Sequence, residues 1–188
     1  MTLLIAGVVF WSIVHLMPSI TPGVRSTLVT RLGEWPYKGL FAVDIIIALA
    51  LIIFGWKAAT PAEIFVPPLY GSPIPAVLLV AAMLLFIASS IPTNLRRYIR
   101  HPQMAAVLLW SIAHLLTNGD SRSLVLFGGL GLWSIAEMLL INRRDGDWQK
   151  PAATALSKDI IAVILAIAAF KAMGYFHLTL FGVPAVSA

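Results

Sequence analysis

Six apolar runs dominate this chain, at residues 2–17, 39–56, 76–91, 102–116, 124–141 and 160–176. Each is roughly long enough to cross a hydrocarbon core of ~30 Å at 1.5 Å per helical residue, the run at 102–116 being marginal. Of the 188 residues, 60% are hydrophobic and 11% charged, against ~25% charged in a soluble domain. A globule this small cannot bury so much apolar surface, whereas lipid accepts it. The expected fold is all-α: a polytopic transmembrane helical bundle of about six helices, forming one integral membrane domain over residues 1–188.

The segments between the runs supply the topology. Pro18 and Pro22 are expected to stop the first run. A stretch at 24–37, with Arg25, Arg31 and Glu34 and followed by Lys38, is expected to lie along the membrane surface. The loop after the second run is rich in proline, and Asn118-Gly119-Asp120 forms a tight turn between the fourth and fifth. Basic residues concentrate in alternate loops: Arg25, Arg31 and Lys38 in the first, Arg96, Arg97 and Arg100 in the third, Arg143, Arg144 and Lys150 in the fifth. The second and fourth hold little beyond Lys57 and Arg122. This asymmetry puts the odd loops in the cytoplasm and both termini outside. The first run has no basic start and no small-residue cleavage pattern, and reads as a retained helix. The net charge of +5 is spent on these clusters and is a topology signal, with no nucleic-acid partner implied. There is no cysteine, which excludes disulfides, thiolate metal sites, cysteine nucleophiles and thiolate-ligated haem.

Polar residues inside the runs are the candidates for chemistry. Trp11-Ser12-Ile13-Val14-His15-Leu16 recurs as Trp110-Ser111-Ile112-Ala113-His114-Leu115, and again as Trp133-Ser134-Ile135-Ala136-Glu137-Met138. The first and fourth runs point in opposite directions, which permits an inverted repeat of three plus three helices; chance recurrence in apolar helices is the alternative. His15 and His114 each follow a tryptophan by one turn and share its face. Imidazoles from two helices can hold a haem iron between them, with apolar helices covering the porphyrin. The plainer reading is that both bond backbone carbonyls or serines. His101, in Arg100-His101-Pro102, stands at a helix entrance, where Pro102 fits the first turn. Together with Arg100 it suits an anionic group at the interface: lipid phosphate, haem propionate or a cofactor carboxylate. His177, at the end of the last run, reads as interfacial. Asp44 and Glu137 interrupt their runs and could bond an imidazole or a basic partner, or could simply be interfacial.

Several segments together resemble the NnrU family of membrane proteins. They are His15-Leu16-Met17-Pro18-Ser19 with Arg25, Leu32-Gly33-Glu34 with Tyr37-Lys38-Gly39-Leu40-Phe41-Ala42, Arg100-His101-Pro102-Gln103, and Ala113-His114-Leu115-Leu116-Thr117-Asn118-Gly119-Asp120. That family includes bacterial proteins associated with nitrite and nitric-oxide respiration. It also includes the zeta-carotene isomerase of plants and cyanobacteria, which uses haem b to isomerise a cis double bond. The resemblance implies a bacterial inner-membrane protein with histidine-ligated haem b, with His15 and His114 as the axial ligands to iron. His101 would be a redox-dependent substitute, and Arg100, Trp11 and Trp110 would line the cofactor site. Counted along the helices, His15 and His114 differ in depth by ~10 Å, so His101 stays open as the partner of His15. A hydrophobic small-molecule substrate, an electron donor and membrane lipid are the implied partners.

Two other classes compete. Arg100-His101-Pro102 followed by Glu137 is similar to the Arg-His-Pro motif of membrane isoprenylcysteine and phospholipid methyltransferases, which hold S-adenosylmethionine. This chain departs from them after Glu137, where the Tyr-rich segment and paired glutamates are missing. A non-catalytic transporter or assembly factor is the third reading, supported by the possible repeat and Asp44.

Overall fold

The structure, a computed structural model, describes residues 1–69 and 72–185. Among these there are seven helices and no strand. They are α1 (Thr2–Ile20), α2 (Pro22–Leu32), α3 (Glu34–Ala58), α4 (Ile74–Ser90), α5 (Pro102–Leu115), α6 (Ser121–Asp145) and α7 (Leu156–Phe181). A short 3-10 turn, Asn94–Arg97, lies between α4 and α5. Helices α1, α3, α6 and α7 are long and apolar enough to cross a membrane; α4 and α5, at 17 and 14 residues, are shorter apolar helices. This is the architecture of an integral membrane protein.

The count of helices corrects the expectation of six, and the extra one is α2. The stretch expected to lie as one unit along the surface is cut at Gly33, which sits at φ 88°. A residue with a Cβ is strained there, so the helix stops and restarts. Glu34, Tyr37 and Lys38 therefore belong to α3, where Glu34 and Lys38 pair across one turn at 2.7 Å. Pro18 does not stop α1 either. It lies inside the last turn, and the chain recovers with Thr21 donating both its amide and its hydroxyl to the Met17 carbonyl. Pro22 then occupies the first turn of α2, where no amide donor is needed.

The helices fall into two compact units, α1, α2, α3 and α6 forming one and α4, α5 and α7 the other. The units interleave along the chain and are not its two halves, so an inverted repeat of three plus three helices is not shown.

In the first unit α1 and α3 run antiparallel in close contact. Leu4 faces Gly55, and Gly7 faces Ile52. A Cβ on Gly7 would stand 2.7 Å from the Ile52 amide nitrogen, and one on Gly55 would run into the Leu4 backbone. Small residues are how helices approach in lipid, where apolar burial alone gives little reason to associate. Leu4, Val8 and Ile52 form the buried core beside this crossing, with Trp11, Trp56, Val125, Leu126 and Leu130 packed on it. Helix α6 runs parallel to α1: Val8 meets Gly129, Trp11 meets Trp133, and Ser19 meets Glu137.

The second and fourth loops are joined within this unit. The Ser121 amide donates to Ala62 O at 2.8 Å, and the Ile64 amide donates to Gly119 O at 2.8 Å. Asp120 caps α6, accepting from the amides of Arg122 (2.9 Å) and Ser123 (3.2 Å) and from the Ser123 hydroxyl (2.6 Å). Arg122 then lies 4.6 Å over the Trp56 ring. In the second unit α4 packs on α5 and α7. The third and fifth loops meet there at Asn94, which donates from its amide to Asp159 (2.8 Å) and from Nδ2 to Thr154 O (2.9 Å). Each unit thus joins only loops of the same parity, as a chain crossing back and forth must.

Two outcomes test this packing. Gly55→Ala should lower the thermal midpoint in detergent, by roughly 1–3 kcal/mol of overpacking. Gly39→Ala, where a Cβ meets open space, should be neutral or stabilising by up to ~1 kcal/mol. For Asp120, burial acts to raise its pKa, but the hydrogen bonds from Ser123 and Arg122, with the Arg122 charge, prevail and hold it below the usual carboxylate range. A depressed pKa means stability present above the unfolded carboxylate pKa and lost as pH falls through the folded one. Wild-type protein should lose stability across that acid range, and Asp120→Asn, which can still cap, should show a flatter acid limb in pH-dependent melts.

Candidate functional site

Within the first unit, His15 sits in an aromatic enclosure. Its Nδ1–H donates to the Trp11 carbonyl one turn back at 2.9 Å. A carbonyl only accepts, so the proton is on Nδ1 and the lone pair on Nε2. The ring stacks on Trp11 with centroids 4.2 Å apart. Trp133 meets it edge-on at 5.0 Å, and Phe41 at 5.6 Å. The indole N–H groups of Trp11 and Trp133 are both buried without an acceptor. Buried donors left in this state are uncommon and mark a place where an acceptor belongs.

A cavity of about 210 Å³ opens beside this group, between α1, α2 and α3. Its walls are apolar except for Tyr37 and Asp44, and it shares Phe41 with the His15 enclosure. Tyr37 is only 8% exposed, and its hydroxyl has no hydrogen-bond partner. Arg25 lies over the Tyr37 ring, 5.8 Å from its centroid. Asp44, read from sequence as a possible imidazole partner, instead lines this cavity.

Glu137 is also buried, at 8% exposure. It accepts a hydrogen bond of 2.8 Å from the Ser19 hydroxyl, and Arg144 reaches the same hydroxyl at 3.4 Å. The buried carboxylate is thus tied to α1 by a serine and has a guanidinium nearby.

In the second unit, His114 repeats the His15 arrangement. Its Nδ1–H donates to the Trp110 carbonyl at 2.8 Å, and the Trp110 ring is 5.1 Å away. Asn118 closes the turn beneath by donating to the His114 carbonyl at 2.8 Å. His101 occupies the N-cap of α5 with Arg100 before it and Pro102 in the first turn, as the sequence suggested. His177 is partly buried on α7, and its Nδ1–H donates to Val183 O at 2.8 Å.

The structure therefore groups Trp11 and His15 in one unit, and Trp110, His114, Arg100 and His101 in the other. Trp133, Phe41, Tyr37 and His177 were not singled out as site residues from sequence. Trp133 had a signal, since it opens the third copy of the hexapeptide. Phe41 and Tyr37 lie in the run Tyr37-Lys38-Gly39-Leu40-Phe41, which entered the family resemblance, but carry no chemistry that spacing alone reveals.

Compared with known families, the chain matches the one described as NnrU protein over residues 3–185, nearly its whole length. No curated protein and no solved structure matches it.

The Ser19–Glu137 bond is open to a double-mutant cycle. Ser19→Ala should cost about 1.5–3 kcal/mol, the worth of a buried hydrogen bond to a charged group. In a Glu137→Leu background the same change should cost far less, read from thermal unfolding of all four proteins. Additive losses would mean that the two side chains do not act together.

Proposed function

Because the chain belongs to the NnrU family, we propose that it is an integral membrane protein that binds haem b, with His15 in the first unit and His114 in the second as the residues that would ligate the iron. The family match carries the reading; both histidines bond a backbone carbonyl, as the plainer reading of the sequence also expects, and the two share one tautomer. Each donates Nδ1–H to a tryptophan carbonyl one turn back, which puts the lone pair on Nε2. Metal-bound histidines are oriented in this manner, the second nitrogen tied to a carbonyl so that tautomer and ring plane are set in advance. A haem iron takes four ligands from the porphyrin and needs only one or two from the protein. Among the described residues no three histidine or carboxylate groups converge on a bare metal ion, and none need do so.

Haem b, when bound, would supply a one-electron centre, and His15 and His114 are the residues that would hold it. The chain's own residues bind and enclose. Trp11, Trp133 and Phe41 exclude water around His15, and the unpaired indole N–H groups are donors for an oxygen acceptor such as a propionate. His101 and Arg100, at the entrance to α5, are a substitute ligand and an anion partner. The apolar cavity that shares Phe41 suits a lipophilic substrate, with the Tyr37 hydroxyl as its one donor. This favours redox-dependent cis–trans isomerisation of a hydrophobic molecule, with nitric-oxide- or nitrite-linked haem chemistry as the other activity in the family. The electron donor and the substrate are partners of this site. The setting is the bacterial inner membrane, with the arginine-rich odd loops in the cytoplasm and both termini outside.

Detergent-purified protein from haem-replete cells should show a Soret band, and sharp visible bands after reduction. His15→Ala and His114→Ala should each abolish or shift the bands. His177→Ala should retain them; losing them with His177→Ala while His15→Ala keeps them would remove His15 from the ligand set. A colourless protein that binds S-adenosylmethionine would replace this reading with a methyltransferase.

A further inference from the structure

The second unit contains a site that the haem reading leaves unused. A groove of about 340 Å³ lies between the end of α4, the 93–98 segment and the start of α7. Leu84, Leu95, Ala162 and Val163 give it apolar walls, and Thr93 forms part of its lining. Thr93 is 2% exposed, and its hydroxyl has no hydrogen-bond partner. Two more buried polar atoms lack a partner on the segments that contribute to the groove, though outside its lining: Nε of Arg97, which ends the 3-10 turn, and the hydroxyl of Thr154. Thr154 is tied to the groove through Asn94, its amide donating to Asn94 Oδ1 at 3.0 Å. An unsatisfied buried hydroxyl in the groove's lining, with two more unsatisfied polar atoms on the adjoining segments, is a departure from the norm, where such groups are nearly always paired.

Charge decides what would satisfy them. Arg96, Arg97 and Arg100 stand in one short segment that contains no carboxylate. The one carboxylate at the groove, Asp159, has both oxygens engaged by Asn94. It has neither a spare role for a cationic head group nor an unmet demand on Arg97. Tyr98, 78% exposed at the groove's edge, has the placement of an aromatic residue at the lipid–water boundary. A phosphate satisfies a guanidinium Nε–H and a threonine hydroxyl at once, and apolar walls require a chain attached to it.

We infer that this groove binds an anionic phospholipid, its phosphate held by Thr93 and Arg97 and one acyl chain lying along Leu84, Ala162 and Val163. Free phosphate would meet the same polar groups but would leave the apolar walls without a ligand. A zwitterionic lipid would bring an ammonium group to an arginine cluster.

Native mass spectrometry of the full chain released from detergent tests this, with palmitoyl-oleoyl phosphatidylglycerol and the matching phosphatidylcholine as probes. One phosphatidylglycerol should remain bound, with little phosphatidylcholine. Thr93→Val and Arg97→Gln should each lower retention at least about tenfold, the scale of one lost charge-assisted contact. Val163→Trp, at an exposed position on α7, should lower it by filling the groove, and it keeps the test open if a polar variant fails to fold. Equal retention of both lipids would overturn the inference. So would undiminished binding in Thr93→Val and Arg97→Gln, or displacement of the lipid by millimolar inorganic phosphate in wild type with no effect of Val163→Trp. None of these readouts depends on haem, so this inference and the proposed function fail separately.

Discussion

The close crossing of α1 and α3 is the contact on which the first unit depends. In lipid there is little apolar incentive for helices to pair, since hydrocarbon surrounds them in either state. What remains is van der Waals contact, and that requires backbones to come near. Gly7 and Gly55 permit this, each with the opposing backbone where a side chain would otherwise be. The crossing sets the depth of α1 against α3 and so fixes which α3 residues reach His15. Phe41 meets the imidazole only because Leu4 is seated at Gly55 further along the same antiparallel pair. The parallel contact with α6 adds Trp133 by the same logic, through Val8 against Gly129.

Polar groups within these helices divide into two kinds. Ser19 and Glu137 satisfy one another and fasten α1 to α6 near one end; that is a structural use of a costly carboxylate. The Tyr37 hydroxyl and the two indole N–H groups are different, since they are buried and lack acceptors. Their positions cluster around His15 and the cavity next to it. Within the first unit, three buried donors without acceptors thus lie around one imidazole and the cavity beside it. That pattern is expected of a ligand site, where the missing partners arrive with the ligand.

The helical layout was readable because local features define it. The runs at 76–91 and 102–116 correspond closely to α4 and α5, as proline at one end and polar residues at the other mark their limits. Gly33 was the exception: its left-handed backbone splits a polar stretch, and hydropathy does not register a change in φ. The tryptophan–histidine turns at His15 and His114 were also legible, because a bond from i to i−4 is set by helix geometry alone. Partnerships across long separations were not. Ser19 and Glu137 are 118 positions apart, and nothing periodic connects them.

The state of the two histidines also separates the competing functions. A proton relay through a transporter needs an imidazole that can take a proton on one nitrogen and release it from the other. Tying Nδ1–H to a carbonyl of the same helix opposes that exchange, because the carbonyl cannot donate when the tautomer reverses. His15 and His114 both carry this restraint, and at His15 the stacked Trp11 ring further limits rotation. A fixed ring with its lone pair on Nε2 is poorly suited to passing protons and well suited to holding a metal. The same restraint gives no advantage to a methyl transfer, in which neither imidazole need keep one tautomer. The restraint on both imidazoles therefore agrees better with the proposed ligand role than with a proton relay.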